Sequence, residues 1–319
     1  PRRGAHDALD ALSYVIKRRN VNWILDADIR GFFDNLNHEW LMKFLEHRVQ
    51  DRRMLRLIRK WLKAGVSEDG EWSPTEVGTP QGAVISPLLA NVYLHYVLDL
   101  WVNQWRKREA VGQIYSVRYA DDFVNGFSHH ADALALQQQL GERLGRFDLE
   151  LHPGKTRLIE FGRYAETRRR NRGEGKPESF DFLGFNHRCG RTRRRGRFTV
   201  DRTTLATRMR TTLAEIKKKL KQRMHDPLYQ TGIWLRQVVR GWYQYHAVPG
   251  NWDRLEQFRT AVAKLWRHAI HRRSQKARER WTCPRLSRLF ASYLPAKQIL
   301  HPYPDDRFLG RPKARSRMK

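Results

Sequence analysis

Apolar positions recur along the chain with two different periods, and the change from one to the other divides it. Residues 21–30 (VNWILDADIR) are a short apolar and β-branched run closed by acidic residues, which predicts a buried strand. Asn37 or His38 opens a helical pattern through Trp40, Leu41, Phe44, Leu45 and Val49. A second helix through Leu55, Ile58, Trp61 and Leu62 stops at Gly65. Residues 65–87 hold four Gly and three Pro, the composition of a loop or short hairpin, and helix resumes over 88–107. Residues 113–128 (QIYSVRYADDFVNGFS) predict strand, tight turn and strand, with Asp121-Asp122 at the turn. Over 131–151, Leu136, Leu140, Leu144, Phe147 and Leu151 fall at spacings of 4, 4, 3 and 4, which predicts a helix. A strand at 156–161 and a hairpin around 180–199 follow. From residue 203 only the helical period remains. Leu205, Met209, Leu213, Ile216, Leu220 and Met224 make one stripe; Trp234, Val238, Trp242 and Tyr245 a second; Leu255, Phe258, Val262, Leu265 and Ala269 a third.

These elements predict an α+β fold over residues 1–200. The strands do not alternate steadily with helices, which argues for an antiparallel sheet with helices on one face rather than a doubly wound parallel sheet. An all-helical domain is expected over 201–301, followed by a loose, basic, Pro-rich tail at 302–319.

Charge sharpens this division. The chain has 319 residues with 62 Lys and Arg against 33 Asp and Glu, a net charge of +29. Residues 163–223 alone hold 20 basic and 6 acidic residues. A one-signed surplus on this scale points to a polyanion partner, nucleic acid before membrane. Candidate contacts are Arg168-Arg169-Arg170, Arg193-Arg194-Arg195, and Lys217-Lys218-Lys219 with Lys221 on the polar face of a helix. Tyr243 and His246, among aromatics and arginines, are candidates to stack on bases. No run approaches the length of a membrane span, and Asp7 and Asp10 interrupt any signal-like segment. Two cysteines, Cys189 and Cys283, give neither a disulfide framework nor a four-Cys zinc site, so a reducing cytoplasmic setting is expected.

Against this basic background three carboxylates stand out. Asp28 ends the first strand, and Asp121 and Asp122 occupy a hairpin tip. Adjacent carboxylates at a sheet end repel and call for a cation. Mg²⁺ takes oxygen ligands from one or two carboxylates and completes its shell with water and substrate phosphate. Two such ions support in-line phosphoryl displacement. Asp26 is set aside on the expectation that it faces away from Asp28. Turns favour Asp for structural reasons as well, and Asp305-Asp306 is read as such a case. Gly154-Lys155-Thr156 is not a P-loop, because Leu149 stands where that motif needs its first glycine.

In order along the chain, Asp28-Ile29-Arg30-Gly31-Phe32-Phe33-Asp34, Gly78-Thr79-Pro80-Gln81-Gly82 running on to Ser86-Pro87, Tyr119-Ala120-Asp121-Asp122, Leu151-His152-Pro153-Gly154-Lys155 and Phe180-Asp181-Phe182-Leu183-Gly184-Phe185 resemble the successive motifs of group II intron reverse transcriptases. Gly241-Trp242-Tyr243-Gln244-Tyr245 and its flanking helices are similar to the maturase, or X, domain of that family. The resemblance covers roughly residues 1–304.

It implies a reverse-transcriptase palm followed by a helical maturase domain that serves as thumb. It implies metal ligation by Asp28, Asp121, Asp122 and the backbone carbonyl of Ile29, with two Mg²⁺ ions. Phe33 matches an aromatic gate against a ribose 2′-OH, and Gln81 with Gly82 the contact to the incoming nucleotide. Lys155 matches a lysine that assists pyrophosphate departure, and Phe182, Leu183 and Gly184 the primer grip. The partners implied are intron RNA, an RNA template with a DNA primer, and dNTPs, in a bacterial cytoplasm. The chain begins at Pro1 in what resembles the middle of the fingers, so the fingers are expected to be incomplete. Two other readings stay open: a non-catalytic RNA-binding splicing factor, and a reverse transcriptase of a diversity-generating or CRISPR-associated element.

Overall fold

A computed structural model describes residues 3–63, 66–68, 71–73, 78, 85–192 and 195–309. The chain packs as two compact units, Pro1–Phe182 with Arg193–Phe198, and Leu183–Thr192 with Thr199–Lys319. The strand Phe198–Thr204, on which the expected boundary near residue 200 falls, belongs from Thr199 onward to the second unit.

The first unit runs α1 (Ala5–Arg18), β1 (Trp23–Ala27), α2 (His38–Glu46), α3 (Arg52–Leu62), β2 (Val66–Glu68), β3 (Glu71–Ser73), α4 (Ser86–Leu94), a π turn (His95–Asp99), α5 (Leu100–Arg108), β4 (Ile114–Tyr119), β5 (Asp122–Phe127), α6 (His130–Gly145), β6 (Arg157–Glu160), α7 (Ala165–Asn171) and β7 (Phe180–Phe182). Strands β4-β5-β1-β6 form one antiparallel sheet, as the irregular element order predicts.

Alternation along these strands sorts the side chains. Leu25, Ala27, Phe123 and Phe127 enter a core with Leu41 and Phe44 of α2, Tyr93 and Leu94 of α4, and Leu136, Leu140 and Leu144 of α6. The helices start where polar caps allow. Asn37 Oδ1 accepts from the amides of Glu39 and Trp40 at 2.9 and 3.1 Å, and Asp51 Oδ1 from that of Arg53 at 2.8 Å.

One expectation for this unit is corrected. The helix expected over 131–151 stops at Gly145, and Asp148 takes a positive φ of 59°. The reason is competition from the sheet edge. Arg30 N donates to Glu150 O at 2.9 Å, Ile29 bridges Leu151, and His152 N donates to Asp28 O at 2.7 Å. The helical run expected over 88–107 is present as α4 and α5, which continue into one another through the π turn at His95–Asp99.

The second unit holds β8 (Phe185–Arg191) and β9 (Phe198–Thr204), hydrogen-bonded neighbours, then α8 (Ala206–Gln222), α9 (Leu228–His246), α10 (Trp252–His271), α11 (Gln275–Arg280), α12 (Cys283–Tyr293) and α13 (Pro304–Leu309). Its core joins Ile216 and Leu220 of α8, Leu235, Val239 and Trp242 of α9, and Phe258, Val262 and Trp266 of α10. Trp242 stacks on Phe258 with ring centroids 3.9 Å apart. Tyr243 and His246 are buried, against the expectation that they stack on bases. His246 Nδ1 meets Thr204 Oγ1 at 3.1 Å, and Asn251 ties both residues with bonds of 2.6 Å to Thr204 Oγ1 and 2.8 Å to His246 O. In the tail expected to be loose over 302–319, Pro304–Leu309 form α13, and 310–319 lie outside the described residues. No described helix is long and apolar enough to cross a membrane.

Candidate active site

Strand register assembles the acidic residues. Ala27 pairs with Phe123 and Asp26 with Val124, so one further step brings Asp28 alongside Asp122. On the other side of β1, Asp26 pairs with Arg157, and two steps further along the same register bring Asp28 towards Lys155. Positions two apart on a strand share a face, so Asp26 lies beside Asp28. Both line one cleft of about 430 Å³, with Asp122, Lys155, Arg157, Asp181 and Phe182 among the other lining residues. Setting Asp26 aside is thereby corrected. The i, i+2 spacing was the signal that could have placed it there.

Asp26 on β1 and Asp28 just past its end each have their own cation. Lys155 Nζ donates to Asp28 Oδ2 at 2.8 Å. That hydrogen bond, and then the charge of Asp28, raises the lysine pKa, so the side chain remains an ammonium. Arg157 Nη2 lies 3.5 Å from Asp26 Oδ2. Burial lifts the Asp26 pKa to about 6; Arg157 opposes this, and the charges of Asp181 and Asp122 add to it. The segment that carries Lys155 is held by the bond from His152 N to Asp28 O and by a tight turn in which the Lys155 and Thr156 amides donate to His152 O.

Asp122 begins β5 and is exposed on the cleft. Asp121 is half-buried in the two-residue turn itself, between Tyr119 and Asp122, which pair across it. Ile29 is buried at its bridge to Leu151. Phe32 is core, 3% exposed, while Phe33 is only partly buried, with its ring edge-on to Phe32. Gly78 packs against the turn that follows Phe33, its amide donating to Leu36 O at 2.9 Å and its carbonyl meeting His38 Nε2. Gln81 and Gly82 lie outside the described residues.

The donor set is hard oxygen: Asp28 and Asp122 on the cleft wall and Asp121 next to it. Mg²⁺ takes one or two protein carboxylates of this kind, and the ammonium on Asp28 already marks the position as one that attracts a cation. Among the described residues no group of three or more His, Cys, Asp or Glu is gathered as a metal cage.

The other candidates divide by unit. Phe182, 3% exposed, ends β7 in the first unit. In the second, Leu183 and Gly184 both take positive φ, 48° and 80°, and Tyr245 Oη donates to Leu183 O at 2.8 Å. Arg168 lies 3.6 Å from Glu160 and donates to Asn22 Oδ1 at 2.8 Å, and Arg169 pairs with Glu174 at 3.5 Å; Arg170 is exposed. Arg195 is exposed, and Arg193 and Arg194 lie outside the described residues. Lys217, Lys218, Lys219 and Lys221 are all exposed on α8, opposite the buried Ile216 and Leu220.

Residues 1–187 match the family model described as reverse transcriptase (RNA-dependent DNA polymerase). The group II intron-encoded protein LtrA of Lactococcus lactis subsp. cremoris is 42% identical over 110 residues, 34% of this chain and 18% of that protein. An uncharacterized 91 kDa protein in the cob intron of Schizosaccharomyces pombe is 39% identical over 95 residues, 30% of this chain and 12% of that one. Protein YkfC of Escherichia coli K12 is 29% identical over 192 residues, covering 50% of this chain and 49% of its own length. The chain thus spans less than half the length of each of these relatives. The family match extends across the sheet, the carboxylate cleft and the segment bearing Lys155, and on that ground the chain belongs to the reverse transcriptase family.

Proposed function

We propose that this chain carries the nucleotidyl-transfer site of a group II intron RNA-directed DNA polymerase. The observation that supports it best is the meeting of Asp28, Asp122 and Lys155 in one cleft, delivered there by three separate segments of the chain. In the reaction a primer 3′-oxygen forms a bond to the α-phosphorus of a dNTP, the bond to pyrophosphate breaks, and the hydroxyl proton is lost to solvent.

Asp28, Asp121 and Asp122, with the carbonyl of Ile29, would hold two Mg²⁺ ions. When bound, these ions supply positive charge to the attacking and leaving oxygens. Lys155 keeps its proton and stands beside the carboxylates as a cation for departing phosphate. Phe33 borders the nucleotide sugar, Gln81 and Gly82 contact the nucleotide, and Phe182, Leu183 and Gly184 grip the primer. The exposed lysines of α8, with Arg170 and Arg195, would take RNA phosphates, from the template or from an intron whose splicing the second unit assists.

The test is primer extension on an RNA template with Mg²⁺ and dNTPs, comparing the parent with Asp28→Asn and Asp122→Asn. Extension by the parent and a loss of about 10³-fold or more in each variant is expected. Extension by the variants at parental rate would overturn the site. Extension by none, with tight RNA binding that weakens with salt, would favour an RNA-binding splicing factor over a polymerase.

A further inference from the structure

We propose that Arg118 is a positioning residue that fixes the carboxylate turn and couples it to the helix following the Gly78–Pro87 motif. This rests on the reading of Asp121 and Asp122 given above. Arg118 lies near the end of β4, and its side chain is only 14% exposed. Its guanidinium makes four hydrogen bonds. Nε and Nη2 donate to the two oxygens of Asp99 at 2.7 and 2.6 Å. Nη1 donates to Asn91 Oδ1 at 2.9 Å and to the carbonyl of Ala120 at 2.7 Å.

The last of these bonds gives the cluster its meaning. The Ala120 carbonyl belongs to the peptide that leads directly into Asp121. Ala120 has a φ of 57°, a left-handed conformation that glycine adopts freely and alanine does not. A two-residue turn with alanine at its first position is a poor local choice, and it persists where the surroundings hold it. Arg118 supplies that hold from two residues upstream.

The other end of the clamp is anchored as deliberately. Asp99 closes the π turn at His95–Asp99, an irregularity that frequently marks functional positions in helices. Asn91, one turn into α4, uses its amide nitrogen to donate to Pro87 O at 2.9 Å. One planar fork therefore ties together the carboxylate turn, the π turn and the start of the helix that follows Gln81 and Gly82. Lysine, a single flexible ammonium, cannot reproduce the bidentate pair together with both side contacts.

Loss of a salt bridge of purely structural value would lower stability and leave the chemistry of the folded fraction alone. A positioning clamp does the reverse, and the full chain can be tested for either. Arg118→Lys keeps the charge and most of the volume. It is expected to lower kcat for primer extension at least about tenfold, as a misplacement of an ångström or less does. KM for the dNTP should move less than about threefold and the melting temperature only by a few degrees. Amide hydrogen exchange over residues 119–123 should quicken about tenfold or more, a readout that needs no turnover.

Asp99→Asn should move the same quantities in the same direction, and the double variant should be no worse than Arg118→Lys alone, because both break one clamp. Parental exchange at the turn in a folded Arg118→Lys protein would overturn the proposal. So would a fall in activity that merely tracks lost stability. Asp122→Asn separates the two readings. If that variant extends primers normally, the catalytic reading has failed while the exchange data still decide the clamp. If it is dead and Arg118→Lys is unaffected, the clamp alone has failed.

Discussion

Gly78 is the point at which the Gln-Gly motif meets the chain just past Asp28, and alanine there tests whether that contact matters. Gly78 has a φ of 90°, and a Cβ on it would sit 2.7 Å from both Phe33 O and Asp34 O, where ordinary contacts begin at 3.4 Å. Both neighbours are backbone and cannot swing aside. Alanine must therefore accept a disfavoured φ, at about 1–3 kcal/mol, and push two backbone segments apart by roughly 0.7 Å.

If the contact survives, the combined loss is about 2–4 kcal/mol. If it yields, Gly78 gives up its bonds to Leu36 and His38, a loss of about 1–2 kcal/mol. The damage then passes to nucleotide binding through the released motif. Urea unfolding of Gly78→Ala beside the parent reads the first quantity, and KM for dNTP in primer extension the second. We expect either the larger loss of stability, or the smaller one with KM raised about tenfold or more. A variant within about 0.5 kcal/mol of the parent and with the parental KM would refute the reasoning.

Two further outcomes follow from the charges. Lys155→Gln should tighten Mn²⁺ binding, read by electron paramagnetic resonance, about two- to fivefold, which is what an ion pair with this exposure is worth, while slowing extension; unchanged or weaker Mn²⁺ binding would show that the lysine does not compete for Asp28. His187, fully buried on β8, has its imidazole pKa pushed down to about 3 by burial and then by Arg202, so below pH 6.5 the unfolded chain takes up a proton that the folded chain refuses. Stability should fall as pH drops through 6.5 towards 3, by up to about 1.4 kcal/mol per unit. The difference in urea midpoint between pH 7.5 and pH 5 should shrink in His187→Leu, and a difference indifferent to residue 187 would refute the assignment.

Local chemistry made much of the first unit legible. Asn37 announced α2 because a side-chain acceptor before an apolar stripe is what a helix start needs. The β4–β5 hairpin was readable from alternation on either side of a two-residue break. The end of α6 was not, because Phe147 is still buried and Leu151 half-buried; the period runs on after the backbone has left the helix to pair with residues 28–30. The π turn was hidden for a similar reason, since Val97 and Leu98 keep an apolar pattern through it. Helix α7 has one buried residue, Ala165, and so offers no stripe at all. In the second unit, Tyr243 and His246 had the composition of a base-stacking surface, and only the packing against α10 and the bonds to Thr204 reveal them as interior.

The site shows the same split between what alternation dictates and what pairing adds. Asp26 on β1 and Asp28 just past its end stand opposite Arg157 and the residue two before it, Lys155, so two acids and two bases form a short ladder across the sheet edge. The rungs differ in a way that bears on function. Asp26, with 19% of its side chain exposed, is matched to arginine, whose charge is permanent. Asp28, 31% exposed, is matched to a lysine with 63% of its side chain in solvent. A flexible, hydrated ammonium is the easier cation to exchange. The ladder therefore leaves Asp26 neutralised in place and makes Asp28 the acid whose counter-charge can be replaced, and it is Asp28 that stands beside Asp122.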